Sequence, residues 1–341
     1  MKPRPWPPEE KDWHALHDAL ARRVTASDAA PPADFDINAS RLPQLVFFGD
    51  SITEGWLGTS FGNVPDKFRM WSANEHKDIR QLFANTFGAT SSWGKRALKP
   101  PLVLGISGSR TYDFLWRIEN GEFPTSKLLD HSGTESGGNH SVGFRLGELE
   151  RIYIVLMGTN NLGGGMLPRP TVAGMNATGR ALLRLHEEHF PHTPAAMLFS
   201  ELLPRRDAFR AARMCPPRCA NATTQTPYAS FMPAIEKVNR ALPEVVQGWR
   251  RDFANSRIVL LTSRAEEEAK DSGGNSDETP NPIDYSRTIH CAREMFAIDD
   301  SDEFDLYMPD RLHPNAKGYE LWSRCLKKGL EVIMDHAIKL T

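Results

Sequence analysis

Five short, mostly apolar runs alternate with longer stretches of helical period, and this alternation limits the fold more than any other feature of the chain. The runs are Leu45–Phe48, Leu102–Gly105, Arg151–Met157, Ala195–Phe199 and Arg257–Leu261. Each spans four to seven residues, too short for a typical helix. Continuous apolar runs of that length, stopped by glycine or polar clusters, read as strands buried on both faces. Between them, the spacing predicts helices near Asn74–Phe87, from Tyr112–Ile118 onward, and over Thr171–His189, Phe231–Trp249 and Ala316–Ala337. Strands and helices in strict alternation make an α/β fold, with a five-stranded parallel sheet covered on both faces.

Ahead of the first run, Trp13, Leu16, Leu20 and Val24 fall at helical spacing and predict a helix over residues 9–24, with Glu9 and Glu10 in its first turn. Paired prolines at 31–32 make Ala26–Leu42 a surface linker. The domain reading is therefore residues 1–40 as an N-terminal helix and Pro-rich linker, and 41–341 as one domain with loop insertions. The apolar stripe of the extension reads as packing.

Of 341 residues, 40% are hydrophobic and 25% charged, a globular composition. With 41 Lys and Arg against 43 Asp and Glu, the formal net charge is −2, which argues against nucleic acid or an anionic membrane as the main partner. No apolar run reaches the roughly 18–20 residues of a membrane span. Met1–Pro8 lacks the apolar core of a signal peptide, so a cytoplasmic setting is the default. Sequons at Asn38, Asn139, Asn176 and Asn221 keep a secreted or lumenal setting open, although Asn176 falls in a predicted helix. Cys215 and Cys219 could close as a small disulfide, leaving Cys291 and Cys325 to pair or stay free. Oligomeric state has no sequence signal here.

The first strand runs into Gly49-Asp50-Ser51, which puts a serine just past the carboxyl end of a buried strand, where open α/β sheets bind ligands. Gly108 follows the second strand and Asn160 the third, so all three share one edge of a parallel sheet. Asp310 and His313 stand three residues apart before the last helix. A serine hydroxyl becomes a nucleophile when a base takes its proton, and histidine is poised for that near neutral pH. A carboxylate on the other ring nitrogen fixes the tautomer. The backbone N–H groups of Ser51 and Gly108, with the Asn160 amide, could hold an oxyanion. Ser51, Asp310 and His313 are thus the candidate catalytic residues, and Ser51, Gly108 and Asn160 the candidate oxyanion hole.

These stretches resemble the four blocks of the SGNH, or GDSL-type, esterase and lipase superfamily. Gly49-Asp50-Ser51-Ile52 is similar to the nucleophile block, Gly105-Ile106-Ser107-Gly108 to the glycine block, Gly158-Thr159-Asn160-Asn161 to the asparagine block, and Asp310-Arg311-Leu312-His313-Pro314 to the Asp-x-x-His block. Asn161 stands where many members carry Asp. Gly-Thr-Asn-Asn and Leu202-Leu203-Pro204-Arg205 resemble the catalytic subunits of platelet-activating-factor acetylhydrolase, whereas Gly108-Ser109-Arg110-Thr111 departs from their pattern.

The resemblance implies a flavodoxin-like three-layer α/β/α sandwich. It also implies a serine ester hydrolase that removes a short, acetyl-like acyl group from a lipid or acetylated carbohydrate through an acyl-enzyme on Ser51. It implies no metal and no cofactor. Acyl transfer to a sugar or lipid hydroxyl on the same site is the alternative; a non-catalytic binding protein of the same fold is a weaker one. Long insertions at 57–100, 121–148, 205–230 and 264–305 would shape the pocket mouth.

Other patterns carry less. His131, His140 and His290 lie in loops without Cys or carboxylate at zinc-ligand spacing. Arg205, Arg206, Arg210 and Arg213 read as a solvated basic helix face, with a grip on an anionic substrate as the minority reading. Glycines 163–165 are not followed by the Lys-Ser/Thr of a phosphate loop.

Overall fold

A computed structural model describes residues 10–29, 42–63, 74–95, 97, 99–126, 149–207, 230–263, 288–291, 294 and 301–338. The readings at Asn38, Asn139, Asn221, Cys215, Cys219, His131, His140, Arg210 and Arg213, and most of the four insertions, lie outside the described residues.

Strands β1 (Gln44–Gly49), β2 (Leu102–Gly105), β3 (Arg151–Leu156), β4 (Ala196–Ser200) and β5 (Arg257–Thr262) are buried along their whole length. Together with β6 (Thr288–His290) they form one sheet in the order β2-β1-β3-β4-β5-β6, every neighbouring pair parallel. Alternate residues feed opposite faces, as the two-residue period of a strand requires. Val46, Phe48, Tyr153, Val155, Met197 and Phe199 enter one core. Their neighbours Leu45, Phe47, Ile152, Ile154, Ala196 and Leu198 enter the other.

Helices α1 (Glu10–Ala29), α4 (Thr111–Arg117), α6 (Pro168–His189) and α7 (Met232–Asp252) cover the first face. Helices α3 (Glu75–Thr86), α8 (Ser301–Tyr307) and α9 (Ala316–Ile338) cover the second. Two short helices, α2 (Ser51–Glu54) and α5 (Thr159–Gly163), start at the carboxyl ends of β1 and β3. The three-layer α/β/α sandwich is therefore the fold. None of the described helices is long and apolar enough to cross a membrane.

Among the described residues the sheet has six strands, where the sequence predicts five. The sixth is three residues long, half-buried, and reads Thr-Ile-His, so it carries no apolar run to detect. It pairs with β5 inside the expected 264–305 insertion, and α8 begins in the same segment. Beyond β6, Cys291 forms a disulfide with Cys325 of α9, which settles the choice left open for that pair.

The first helix also runs further than expected, to Ala29. Its last turn is held by Lys99, whose ammonium donates to the carbonyls of Ser27 and Asp28, a cation at the negative end of the helix dipole. The Asp28 carboxylate accepts the N–H groups of Thr125 and Ser126 at 2.9 and 3.0 Å. The first residues of the expected linker are thus docked helix.

Strand order positions the site. From β1 the chain steps to β2 on one side, and β3 pairs on the other, so the edge beyond β1 and β3 is where the winding reverses. Gly49 pairs with both Gly105 and Leu156, which levels the three strand ends.

Candidate active site

Asp50 turns the chain out of β1 and caps α2: its Oδ1 accepts the Ile52 N–H at 3.0 Å. Ser51 is the first helical residue, where no intrahelical acceptor exists for its N–H. The turn from Gly49 to Glu54 sits directly on β2, because a side chain at Gly105 would strike the backbone of Glu54. It is held from above by α9, where Tyr319 donates its hydroxyl to the Ile52 carbonyl at 2.6 Å.

The Asp310–His313 turn crosses this edge. Asp310 Oδ1 accepts the N–H groups of Leu312 and His313 at 3.0 and 2.7 Å. Arg311 between them takes a left-handed conformation, φ +62°, which is uncommon outside glycine. Its carbonyl accepts the Arg206 N–H at 2.9 Å. His313 Nδ1 then lies 2.7 Å from Asp310 Oδ2, and its Nε2 lies 2.8 Å from Ser51 Oγ. Burial pushes the Asp310 carboxyl up, but the hydrogen bonds and charge of His313 outweigh it and hold it below the usual value. An ionised carboxylate can only accept, so in the neutral imidazole the proton belongs on Nδ1, which leaves Nε2 free to accept from the serine hydroxyl.

Gly108 lies in the turn after β2 with φ +78°; it is exposed, and a Cβ there would find nothing within 4 Å. Asn160, in the first turn of α5, reaches the same loop and donates Nδ2–H to the Ser109 carbonyl at 3.2 Å. Asn161 does something else. It is buried, accepts the Thr111 N–H at 3.0 Å and donates to Thr111 Oγ1 at 2.8 Å, so it fastens α5 to the start of α4.

Three buried ionic groups around the site escape sequence reading. The Glu54 carboxylate accepts the N–H and hydroxyl of Ser107 at 2.8 and 2.7 Å, and the Gly62 N–H at 2.7 Å. It ties α2 to the loop that carries Gly108. The Arg117 guanidinium donates to the Gly49 and Leu104 carbonyls at the ends of β1 and β2, and pairs with Glu122 at 2.6 Å. Asp50 is fully buried, and burial above all raises its carboxyl to about 6.

Arg205, read from sequence as solvent-facing, is instead buried. It pairs with Asp207 at 2.6 Å, donates to the Thr159 carbonyl at 3.0 Å and lies over the Phe231 ring. A matched charge and an aromatic face make that burial tolerable. Among the described residues, no group of three or more His, Cys, Asp or Glu side chains is placed to hold a metal ion.

Solved structures similar to this chain span most of its length at low identity. A Streptococcus pneumonia protein named for platelet activating factor is 14% identical, with 94% of this chain and 95% of that one covered and a TM-score of 0.47. A lipolytic protein of the G-D-S-L family from Veillonella parvula is 12% identical, covering 84% and 97%, with a TM-score of 0.41. A carbohydrate esterase family 3 protein from Talaromyces cellulolyticus is 15% identical, covering 86% and 99%, with a TM-score of 0.39. No curated protein matches the chain. Residues 47–321, from the middle of β1 into α9, match the sequence profile of the GDSL-like lipase/acylhydrolase family, and the chain belongs to that family of carboxylic ester hydrolases.

Proposed function

We propose that this enzyme hydrolyses a small-molecule ester through a covalent acyl-enzyme on Ser51. The observation that carries the reading is the unbroken chain from Ser51 Oγ to His313 Nε2, at 2.8 Å, and from His313 Nδ1 to Asp310 Oδ2, at 2.7 Å. His313 takes the hydroxyl proton as Ser51 Oγ bonds to the ester carbonyl carbon, and Asp310 stabilises the imidazolium. The oxyanion is met by the N–H groups of Ser51 and Gly108 and by the Asn160 amide. As the intermediate collapses, the ester C–O bond breaks and the leaving alcohol takes the proton from Nε2. Water then attacks the acyl-enzyme with the same base, and the acid and the free serine are restored.

A short, acetyl-like acyl group is the specificity we favour. It rests on the resemblance of Gly158–Asn161 and Leu202–Arg205 to the acetylhydrolase subunits. The buried Cys291–Cys325 disulfide supports an oxidising compartment for the mature protein.

Hydrolysis of para-nitrophenyl esters from acetate to palmitate tests both parts. Wild type is expected to act best on the shortest chains, and Ser51→Ala to lose activity by about 10⁴-fold or more. Equal activity in the variant would remove Ser51 from the mechanism. A maximum at long chains would remove the acetyl assignment and leave the mechanism standing.

A further inference from the structure

We propose that helix α1 is a positioning element of the oxyanion hole, acting through Ser109. The inference rests on the ester-hydrolase reading of the Ser51 site and assigns a role in it to a segment outside the family match.

Gly108 has no side chain, so the direction of its N–H is set by what holds the residues on either side. On one side, Ser107 is fixed by the Glu54 carboxylate. On the other, Ser109 is fully buried and held at three points. Its Oγ accepts from Trp13 Nε1 of α1 and from Arg117 Nη1, both at 3.2 Å. Its N–H donates to the Ile106 carbonyl at 3.1 Å, which closes the turn around Gly108. Its carbonyl accepts Asn160 Nδ2–H at 3.2 Å. An amide nitrogen carries two N–H donors, so this bond orients Asn160 and leaves the second for an oxyanion. Ser109 therefore joins both side-on oxyanion donors to α1.

A second contact from the same helix supports the first. His17 Nδ1 lies 2.7 Å from Glu122 Oε1, and Glu122 pairs with Arg117, the other donor to Ser109. Trp13 and His17 stack with ring centroids 6.0 Å apart, one turn apart on one face of α1. Leu20 and Val24 on that face enter the core, so the helix is anchored by burial while its amino-terminal half reaches the catalytic edge. Oxyanion donors act by being fixed before charge develops, and a donor left to swing loses much of its effect. Trp13 is thus a positioning residue, not a catalytic one.

The test uses the full chain with para-nitrophenyl acetate and a fluorophosphonate that labels the active serine. Trp13→Phe keeps an aromatic ring but removes the N–H; Ser109→Ala removes the acceptor. Since losing a whole donor costs about 10²–10³-fold in kcat, loosening one is expected to cost about 3–10-fold in Trp13→Phe and about 10–30-fold in Ser109→Ala. KM should stay within about twofold, and fluorophosphonate labelling should slow by the same factor as kcat, with the melting temperature of Trp13→Phe unchanged. If Ser109→Ala does not fold, Trp13→Phe decides alone. Wild-type kcat and labelling in Trp13→Phe, or a loss confined to KM or to the folded fraction, overturns the proposal. A wild type that hydrolyses no ester overturns the underlying reading, and this inference with it.

Discussion

His313 Nε2 lies 2.8 Å from Ser51 Oγ although 262 positions separate the two residues. The contact is long-range, but each partner is delivered by a local device: a capped helix start for Ser51, and a four-residue turn for His313 and its carboxylate. Asp310 serves the backbone of that turn through Oδ1 and the imidazole through Oδ2.

Asp310→Asn separates those two duties. The amide oxygen can still accept from the turn, but its NH2 turned to the ring would favour the tautomer with the proton on Nε2, facing the serine hydroxyl. A loss of about 10²–10⁴-fold in kcat with little change in KM is expected from steady-state kinetics. A loss below tenfold would mean that His313 does not need this carboxylate.

Glu54→Gln probes the tie between α2 and the Gly108 loop. The carboxylate accepts from donors at both oxygens, and an amide can accept at only one. One donor is then left facing an NH2 group in a buried place, a cost of about 2 kcal/mol. Chemical denaturation should report that loss, and kcat should fall with it because Ser107 precedes Gly108. Unchanged stability would show that the site relaxes or admits water.

What could be read in the sequence follows from what is local. Ser51 stands out because an apolar run stops at Gly-Asp-Ser, and Asp310 with His313 because three residues separate them. The sheet is legible because its strands are buried on both faces. Long-range pairing of buried charges is not legible. Arg205 has the composition of a surface residue and is buried only because Asp207, Thr159 and Phe231 close around it. Glu54 and Arg117 are ordinary helix-surface types until Ser107, Gly62 and the ends of β1 and β2 come to meet them. The role of α1 needs Trp13 to be brought to Ser109, 96 positions away.

Asp50 makes stability depend on pH in a direction opposite to the usual carboxylate. Burial raises its folded value from 3.8 to about 6, so between those pH values the folded chain holds a proton that the unfolded chain releases. Its contribution is therefore complete below about pH 4 and is lost as pH rises to 6, by roughly 3 kcal/mol in total. His186 works against it: burial lowers its folded value from 6.5 to about 4, so stability from that residue grows over nearly the same range. The wild-type curve alone hides both. Asp50→Asn keeps an acceptor for the Ile52 N–H and removes the ionisation. Its stability relative to wild type should climb from pH 4 to 6 and level off above. A flat difference between pH 4 and 7 would show that Asp50 ionises normally in the folded protein.

The disulfide offers a test of stability that leaves the proposed catalytic residues alone. Cys291 follows β6, the short edge strand, and Cys325 lies in the middle of α9, both fully buried. Closing a loop of 34 residues restricts the unfolded chain by roughly 3–4 kcal/mol in the chain-entropy account. Three residues of parallel pairing at the sheet edge give little stability of their own, so the bond also keeps β6 docked. Reduction should lower the melting temperature by on the order of 5 °C, read by calorimetry with and without dithiothreitol. The double variant Cys291→Ala with Cys325→Ala should start from the lower temperature and show no response to the reductant at this bond. Equal melting temperatures for the oxidised and reduced wild type would mean that α9 and β6 hold together by packing alone.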